Sequence, residues 1–427
     1  MKYAYINGII LDGSKDMKPE YGKVILTDGE KIKSITENSS DIPEEYQKID
    51  LNGKYIMPGL INMHLHLPAD GKPKKKEDNN VKKVKLLTSN AFFRYMVRKV
   101  CAGYAKTQLM SGVTTIRTMG GVLSVDSDIR DRINDGHMVG PRILSSDMAV
   151  SVEGGHMAHS LAYAAHSEEE ARTLVRKILE GNPDVIKLMI TGGVLDAKAK
   201  GEPGELKMPP EFVKAACEEA HKAGKKVAAH AESPEGVKVA IENGVDTIEH
   251  GAKPDDEMIR LFKETGACQI ATISPALPFA LFDRSISGVS EVAQYNGKIV
   301  FDGIIECAKA CLENGIAVGL GTDTGCPYIT HYDMWRELRY YHKYCGVSNE
   351  FALYTATKLN AEIAGIGDIT GSIEAGKSAD FAVTSKNPLE DLSALRNVDM
   401  VVARGNIIRK PNVKKMPEVE RELDKFL

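Results

Sequence analysis

The stretch Tyr55-Ile56-Met57-Pro58-Gly59-Leu60-Ile61-Asn62-Met63-His64-Leu65-His66-Leu67 is an apolar run that closes on two histidines one residue apart. A run of this length without polar alternation reads as a strand of a parallel sheet buried on both faces. Alternate side chains of a strand share a face, so His64 and His66 point the same way at its carboxyl end. Two imidazoles on one face can bind one metal ion.

Downstream of this strand, short apolar segments alternate with amphipathic ones, the pattern of parallel βα units. Counting residues 55–67 as the first, eight strands are expected, the others at 114–119, 142–150, 185–190, 226–230, 247–250, 268–274 and 317–323. Helices are expected at 86–111, 167–181, 210–224, 234–244, 255–266 and 302–315, several opening on Ser, Asp or Pro and closing on Gly. Eight units favour a closed, distorted (β/α)8 TIM barrel, an α/β fold. An open doubly wound sheet lacks a Gly-x-Gly-x-x-Gly after an early strand.

Upstream, residues 4–11, 23–27, 32–35 and 48–51 alternate like short strands between Gly, Asp and Asn turns. The pattern returns at 379–384, 398–404 and 406–409, behind the turn-rich Gly371-Ser372-Ile373-Glu374-Ala375-Gly376-Lys377. The two chain ends are therefore expected to pair into a small β-sandwich. The organisation read this way is 1–57 for its first part, 58–365 for the barrel, and 366–427 for its second part and a C-terminal tail. Residues 71–83, with Lys72 and Lys74-Lys75-Lys76 against Glu77-Asp78, read as a solvated loop, or as part of a lid because loops after barrel strands border the active face.

The chain has 427 residues, 43% hydrophobic and 27% charged, within the range of ordinary globular proteins. A net charge of -4 gives no general field for nucleic acid or an anionic membrane, so a small-molecule partner is expected. No eighteen-residue apolar segment and no secretory h-region appears, and none of the seven cysteines sits in a C-x-x-C pair. A cytoplasmic protein is expected.

Further chemistry-bearing residues fall at the ends of other strands. His230 closes Val227-Ala228-Ala229-His230, and His250 closes Thr247-Ile248-Glu249-His250. Carboxyl ends of strands form the face on which barrel enzymes gather catalytic groups. Asp323, in Gly319-Leu320-Gly321-Thr322-Asp323-Thr324-Gly325, reads alone as a turn or helix cap, and beside the histidines as a metal ligand and general base. Lys187 stands within the apolar Val185-Ile186-Lys187-Leu188-Met189-Ile190. Spacing leaves it equally a snorkelling lysine or a desolvated amine able to form a carbamate with carbon dioxide.

Together these residues resemble the amidohydrolase superfamily, whose pattern is His-x-His after strand one, Lys after four, His after five and six, and Asp after eight. The likeness is strongest to its imidazolonepropionase-related and Xaa-Pro dipeptidase branch, carried by residues 58–66, Gly112-Val113-Thr114-Thr115, residues 186–194, Ile248-Glu249-His250-Gly251 and residues 371–380. The resemblance implies two divalent metal ions, usually Zn2+, one held by His64, His66 and Asp323 and the other by His230 and His250, with carboxylated Lys187 as the bridge. It implies His156, in Gly154-Gly155-His156, as a substrate-binding residue, and a homo-oligomer. Two positions depart from the branch: Glu232 stands where many relatives have Tyr, and Thr118 where many have Asp.

The expected activity is hydrolysis of an amide-type C-N bond in a dipeptide, N-acyl amino acid or cyclic amide by a metal-bridging hydroxide, with Asp323 as proton shuttle. One alternative is a deaminase of a cyclic amidine or cationic substrate, with Glu232 reading the positive group. Another is a non-catalytic metal-binding scaffold. Residues 194–208 and 275–297 are expected as pocket-shaping loops.

Overall fold

In the computed structural model, which describes residues 1–37, 42–73 and 80–427, eight parallel strands build the barrel. They are β1 (Leu60–Leu65), β2 (Val113–Thr118), β3 (Arg142–Leu144), β4 (Val185–Met189), β5 (Lys226–Ala231), β6 (Thr247–His250), β7 (Cys268–Ala271) and β8 (Val318–Leu320). β1, β2 and β3 form one sheet, and β4 to β8 run in order in another, extended beyond β4 by Ala149–Val152 and Ala162–Ala165. The sheets meet where the His64 carbonyl accepts the Thr322 and Asp323 amides at 3.1 and 2.8 Å, and where the Asp184 amide reaches the Ser145 carbonyl at 2.7 Å. Those two seams close the ring and make it irregular.

β1, β2, β4 and β6 are buried at every position, as expected of strands covered on both faces. The covering helices begin and end where the local chemistry dictates. Ser167 accepts the Glu170 amide, Ser233 that of Gly236 and Asp255 that of Met258, each satisfying an otherwise orphaned N–H of the first turn. The helix Asp256–Thr265 ends on Gly266 in the left-handed region, at φ +75°. Among the described residues no helix is long and apolar enough to cross a membrane.

The chain ends form two further sheets. One orders Lys31–Thr36, Val24–Asp28, Lys2–Ile6 and Gln47–Asp50, and the other Asn406–Arg409, Met400–Ala403, Phe381–Thr384, Tyr55–Pro58 and Ile9–Ile10. Tyr5, Ile25, Ile32 and Ile49 of the first share a buried cluster with Ile56, Phe381, Val383 and Val402 of the second. Tyr5 and Phe381 meet edge to face, with ring centroids 5.5 Å apart.

Several expected elements differ; the strand read at 4–11 is Lys2–Ile6 and Ile9–Ile10 in separate sheets, and the strand read at 268–274 ends at Ala271. The strand read at 55–67 is two, because the chain changes sheets at Gly59, where a Cβ would lie 2.1 Å from the Thr114 hydroxyl oxygen. The strand read at 142–150 breaks at Asp147, whose φ of +53° cannot continue a strand. The helix read at 86–111 is two helices, Asn80–Thr88 and Ala91–Met110, because the Asn90 side chain caps the second by accepting the Phe93 amide. Residues 275–297 are largely helical, in Ile273–Leu281, Arg284–Ser287 and the front of Glu291–Glu313, although Pro278 lies inside the first. The lysine run 74–76 and its acidic partners lie outside the described residues.

Beneath the end of β2, Asp126 is fully buried and neither of its oxygens accepts a well-aligned hydrogen bond. Burial, and then the Asp147 carboxylate, pushes it up to about 7. The folded chain thus holds this proton over a pH range in which the unfolded chain has lost it, so stability falls as pH rises from about 4 through about 7. Asp126→Asn is expected to remove that dependence. Urea midpoints measured from pH 4 to pH 8 should show the variant gaining on the wild type with rising pH, by up to roughly 4 kcal/mol. Parallel curves would show that Asp126 does not titrate in this window.

Candidate active site

β1 ends with Asn62, Met63, His64 and Leu65, and His66 follows at once. His64 Nδ1 lies 2.7 Å from Glu249 Oε2, and His66 Nδ1 lies 2.9 Å from the Gly120 carbonyl oxygen. A carbonyl only accepts, so His66 Nδ1 carries its proton and donates it. That tautomer leaves Nε2 as a lone pair. Both Nε2 atoms then face one oxygen, Asp323 Oδ1, at 3.4 Å from His64 and 3.2 Å from His66.

Lone pairs converging on a carboxylate oxygen repel unless a proton or a cation lies among them. The donor set of two imidazoles and a carboxylate is one that Zn2+ and similar ions take. His250 lies beside it, since His64, His250 and Asp323 each bring a donor atom within 4.8 Å of the others. Its Nδ1 is engaged by the Thr272 hydroxyl at 2.7 Å. His230, at the end of β5, meets His250 with ring centroids 4.7 Å apart.

Burial keeps the rings of His64, His230 and His250 neutral. It lowers His64 and His230 well below the ordinary imidazole value, and brings His250 down to about 4. Burial alone would raise Asp323, but His64, His66 and His250 outweigh it and hold the carboxyl well below the usual carboxylate range. Lys187, in the middle of β4, is 1% exposed and its Nζ has no hydrogen-bond partner. Burial lowers it to about 8 against the opposing pull of Glu249 and Asp323. An amine so placed is neutral far more often than a surface lysine, which is the condition for carbamate formation. The snorkelling reading does not fit a buried Nζ.

Two of these side chains stand on strained backbone. His250 has φ +71° and Asp323 φ +49°, both in the left-handed region that non-glycine residues visit at a cost of about 1–3 kcal/mol. Gly321 lets β8 come close enough to place Asp323, because a Cβ there would sit 2.6 Å from both the backbone nitrogen and Cβ of His64.

His156 lies in the loop after Ala149–Val152 and stacks on His230, with centroids 4.4 Å apart and planes 9° from parallel. Its Nδ1 is 2.6 Å from Asp196 Oδ2, an oxygen that also accepts the Gly193 amide at 2.8 Å. Glu232 sits at the exit of β5, and its donor oxygen lies within 4.8 Å of donor nitrogens of His230 and His250. Burial, followed by Asp323 and Asp196, raises its carboxyl to about 8. The structure thus brings the eight residues singled out from sequence together, Lys187 from the middle of β4 and the other seven from strand ends or the loops beyond them. His331, given no motif, is buried by stacking on Tyr104 and pairs with the Ala69 carbonyl.

Sequence reasoning missed the groups that hold this set in place. Glu249 Oε1 accepts from Arg117 at 2.6 Å and from the Thr247 hydroxyl at 2.7 Å, and Arg117 Nε reaches the Met63 carbonyl at 2.8 Å. Charged residues inside the short strands β2 and β6 were the available signal. Asp196, in a loop, gave none. The Cys326 thiol contacts the other Asp323 oxygen, Oδ2, at 3.4 Å.

Residues 55–408 match the amidohydrolase family. The chain belongs to that family. It is 36% identical to a Bifidobacterium longum protein provisionally described as a prolidase, with a TM-score of 0.88 over 99% of this chain and 98% of the other. It is 30% identical to a Xaa-Pro dipeptidase whose structure holds methionine in the active site, with a TM-score of 0.84 over 96% of this chain and all of that one. Ochratoxinase of Aspergillus niger is 26% identical over 441 aligned residues, covering 95% of this chain and 86% of the relative. The protein is thus a hydrolase of the amidohydrolase family with a distorted barrel, and its branch is the one that the sequence resembles.

Proposed function

We propose that this protein hydrolyses an amide-type C-N bond of a small molecule, a dipeptide or an N-acyl amino acid before a cyclic amide. The observation that carries the proposal is the pair of imidazoles, His64 and His66, turned with their Nε2 atoms onto Asp323 Oδ1. His64, His66 and Asp323 would hold one divalent cation and His230 and His250 another, Zn2+ being the ion best suited to the set, with Lys187 bridging them in its carboxylated form. Such ions supply an acidified water and an electrophile for the carbonyl oxygen.

The remaining work falls to the chain itself. Asp323, ionised at neutral pH, takes the proton of the attacking water and returns it to the departing nitrogen. His156, with Nδ1 committed to Asp196, keeps Nε2 for the substrate. Likeness to a Xaa-Pro dipeptidase and to ochratoxinase supports an amide as the bond cleaved.

The test is chelation and reconstitution. Stripped protein should fail to hydrolyse Xaa-Pro dipeptides and N-acyl amino acids, and two equivalents of Zn2+ per chain should restore cleavage. Reconstituted protein that leaves every amide intact but releases ammonia from amidines would replace this reading with a deaminase.

A further inference from the structure

We propose that Glu232 is a third side-chain ligand of the second cation, beside His230 and His250. The inference rests on the binuclear reading above and adds a donor to it. Glu232 follows His230 by two residues where β5 ends, so on extended chain the two side chains emerge on one face. The Thr191 hydroxyl receives the Glu232 amide at 3.1 Å and fixes the backbone there. The backbone amide of Val194 acts on the carboxyl as a hydrogen-bond donor, while Oε2 is closed to solvent and has no partner. A carboxylate with one side steered by an amide and a free buried oxygen among two imidazoles has the form of a ligand awaiting its ion.

Charge points the same way. Two divalent ions carry more positive charge than Asp323 and a carboxylated Lys187 can offset, and a further carboxylate narrows the excess. A buried free carboxylate without a cation is costly, so Oε2 is better explained by an ion in the cluster than by an empty one. An ammonium group of a substrate is the competing cation. It would have to reach an oxygen that exposes less than 1 Å² and that already lies among the ring nitrogens.

Chelator-stripped wild type, Glu232→Gln and Glu232→Asp, each verified as folded by circular dichroism, are titrated with Co2+ and with Zn2+. Wild type should take up two ions. The Gln variant, equal in size but without the charge, should keep the first affinity and lose the second by more than ~10-fold, the least expected even for a supporting group around a metal. Its Co2+ absorption should lose the second-site bands, and Glu232→Asp should recover part of the affinity. A Gln variant that binds both ions as the wild type does, with an unchanged Co2+ spectrum, overturns the proposal; a higher KM for amine-bearing substrates alone would then assign Glu232 to the substrate. That failure leaves wild-type stoichiometry at two, whereas a wild type binding fewer than two ions removes the binuclear reading as well.

Discussion

Asp323→Asn should lower kcat on any amide the wild type cleaves by about 10²–10⁴-fold, the range in which a positioned proton acceptor contributes. The substitution isolates that role unusually well. Asparagine accepts the left-handed backbone that Asp323 adopts at φ +49° as readily as aspartate does, and it preserves volume beside Gly321. Its amide cannot take a proton from water at neutral pH. Because Asp323 Oδ1 also faces His64 and His66, metal content has to be measured on the same sample. A variant with full metal content and near wild-type turnover would show that the proton travels by another group. A variant that has lost metal is reloaded with Zn2+ to the wild-type content before its kcat is compared with that of wild type.

Glu249→Ala carries the largest expected loss of stability. Glu249 is 0% exposed and Arg117 4%, so removing the carboxylate strands a buried guanidinium. Breaking a buried pair from one side costs about 3–5 kcal/mol. The same change frees His64 Nδ1, which Glu249 holds at 2.7 Å, and loss of such a support weakens metal binding by about 10–100-fold. Urea unfolding and Zn2+ titration read the two effects separately. Glu249→Gln keeps the shape and a single accepting oxygen, and should fall between alanine and wild type in both. If the alanine variant unfolds within about 1 kcal/mol of wild type, the range of an ordinary point substitution, the Arg117–Glu249 pair is not a structural support of β2 and β6.

The Glu249 result bears on why only part of the site was legible. His64, His66, His230 and His250 could be read because each stands at or just beyond the carboxyl end of a short strand segment, the face on which barrel enzymes gather catalytic groups. Asp323 stood out among glycines for the same reason. Arg117 and Glu249 were visible as charges inside strands, but their partnership spans 132 residues and exists only once the barrel brings β2 opposite β6. Asp196 lies in a loop 40 residues from His156, where no periodicity operates.

The fold shows the same division. Residues 55–67 look like one strand because hydrophobicity does not change at Gly59. The exchange of sheets there depends on the chain passing against Thr114, a contact made by distant sequence. The helices over 275–297 were concealed by Pro278, and Glu337 offers a tertiary anchor for the first of them, accepting the Ile273 and Ser274 amides at 2.7 and 2.8 Å.

By itself the sequence determined the barrel and the chain-end sheets and picked out the candidate donor residues, because these follow from local periodicity and side-chain chemistry. Only the tertiary structure decided which imidazole nitrogen remains free and that Lys187 Nζ is buried without a partner. It alone set Glu232 Oε2 among the rings of His230 and His250. Those facts depend on hydrogen bonds and burial supplied by residues far apart in the chain, and a one-dimensional pattern carries neither.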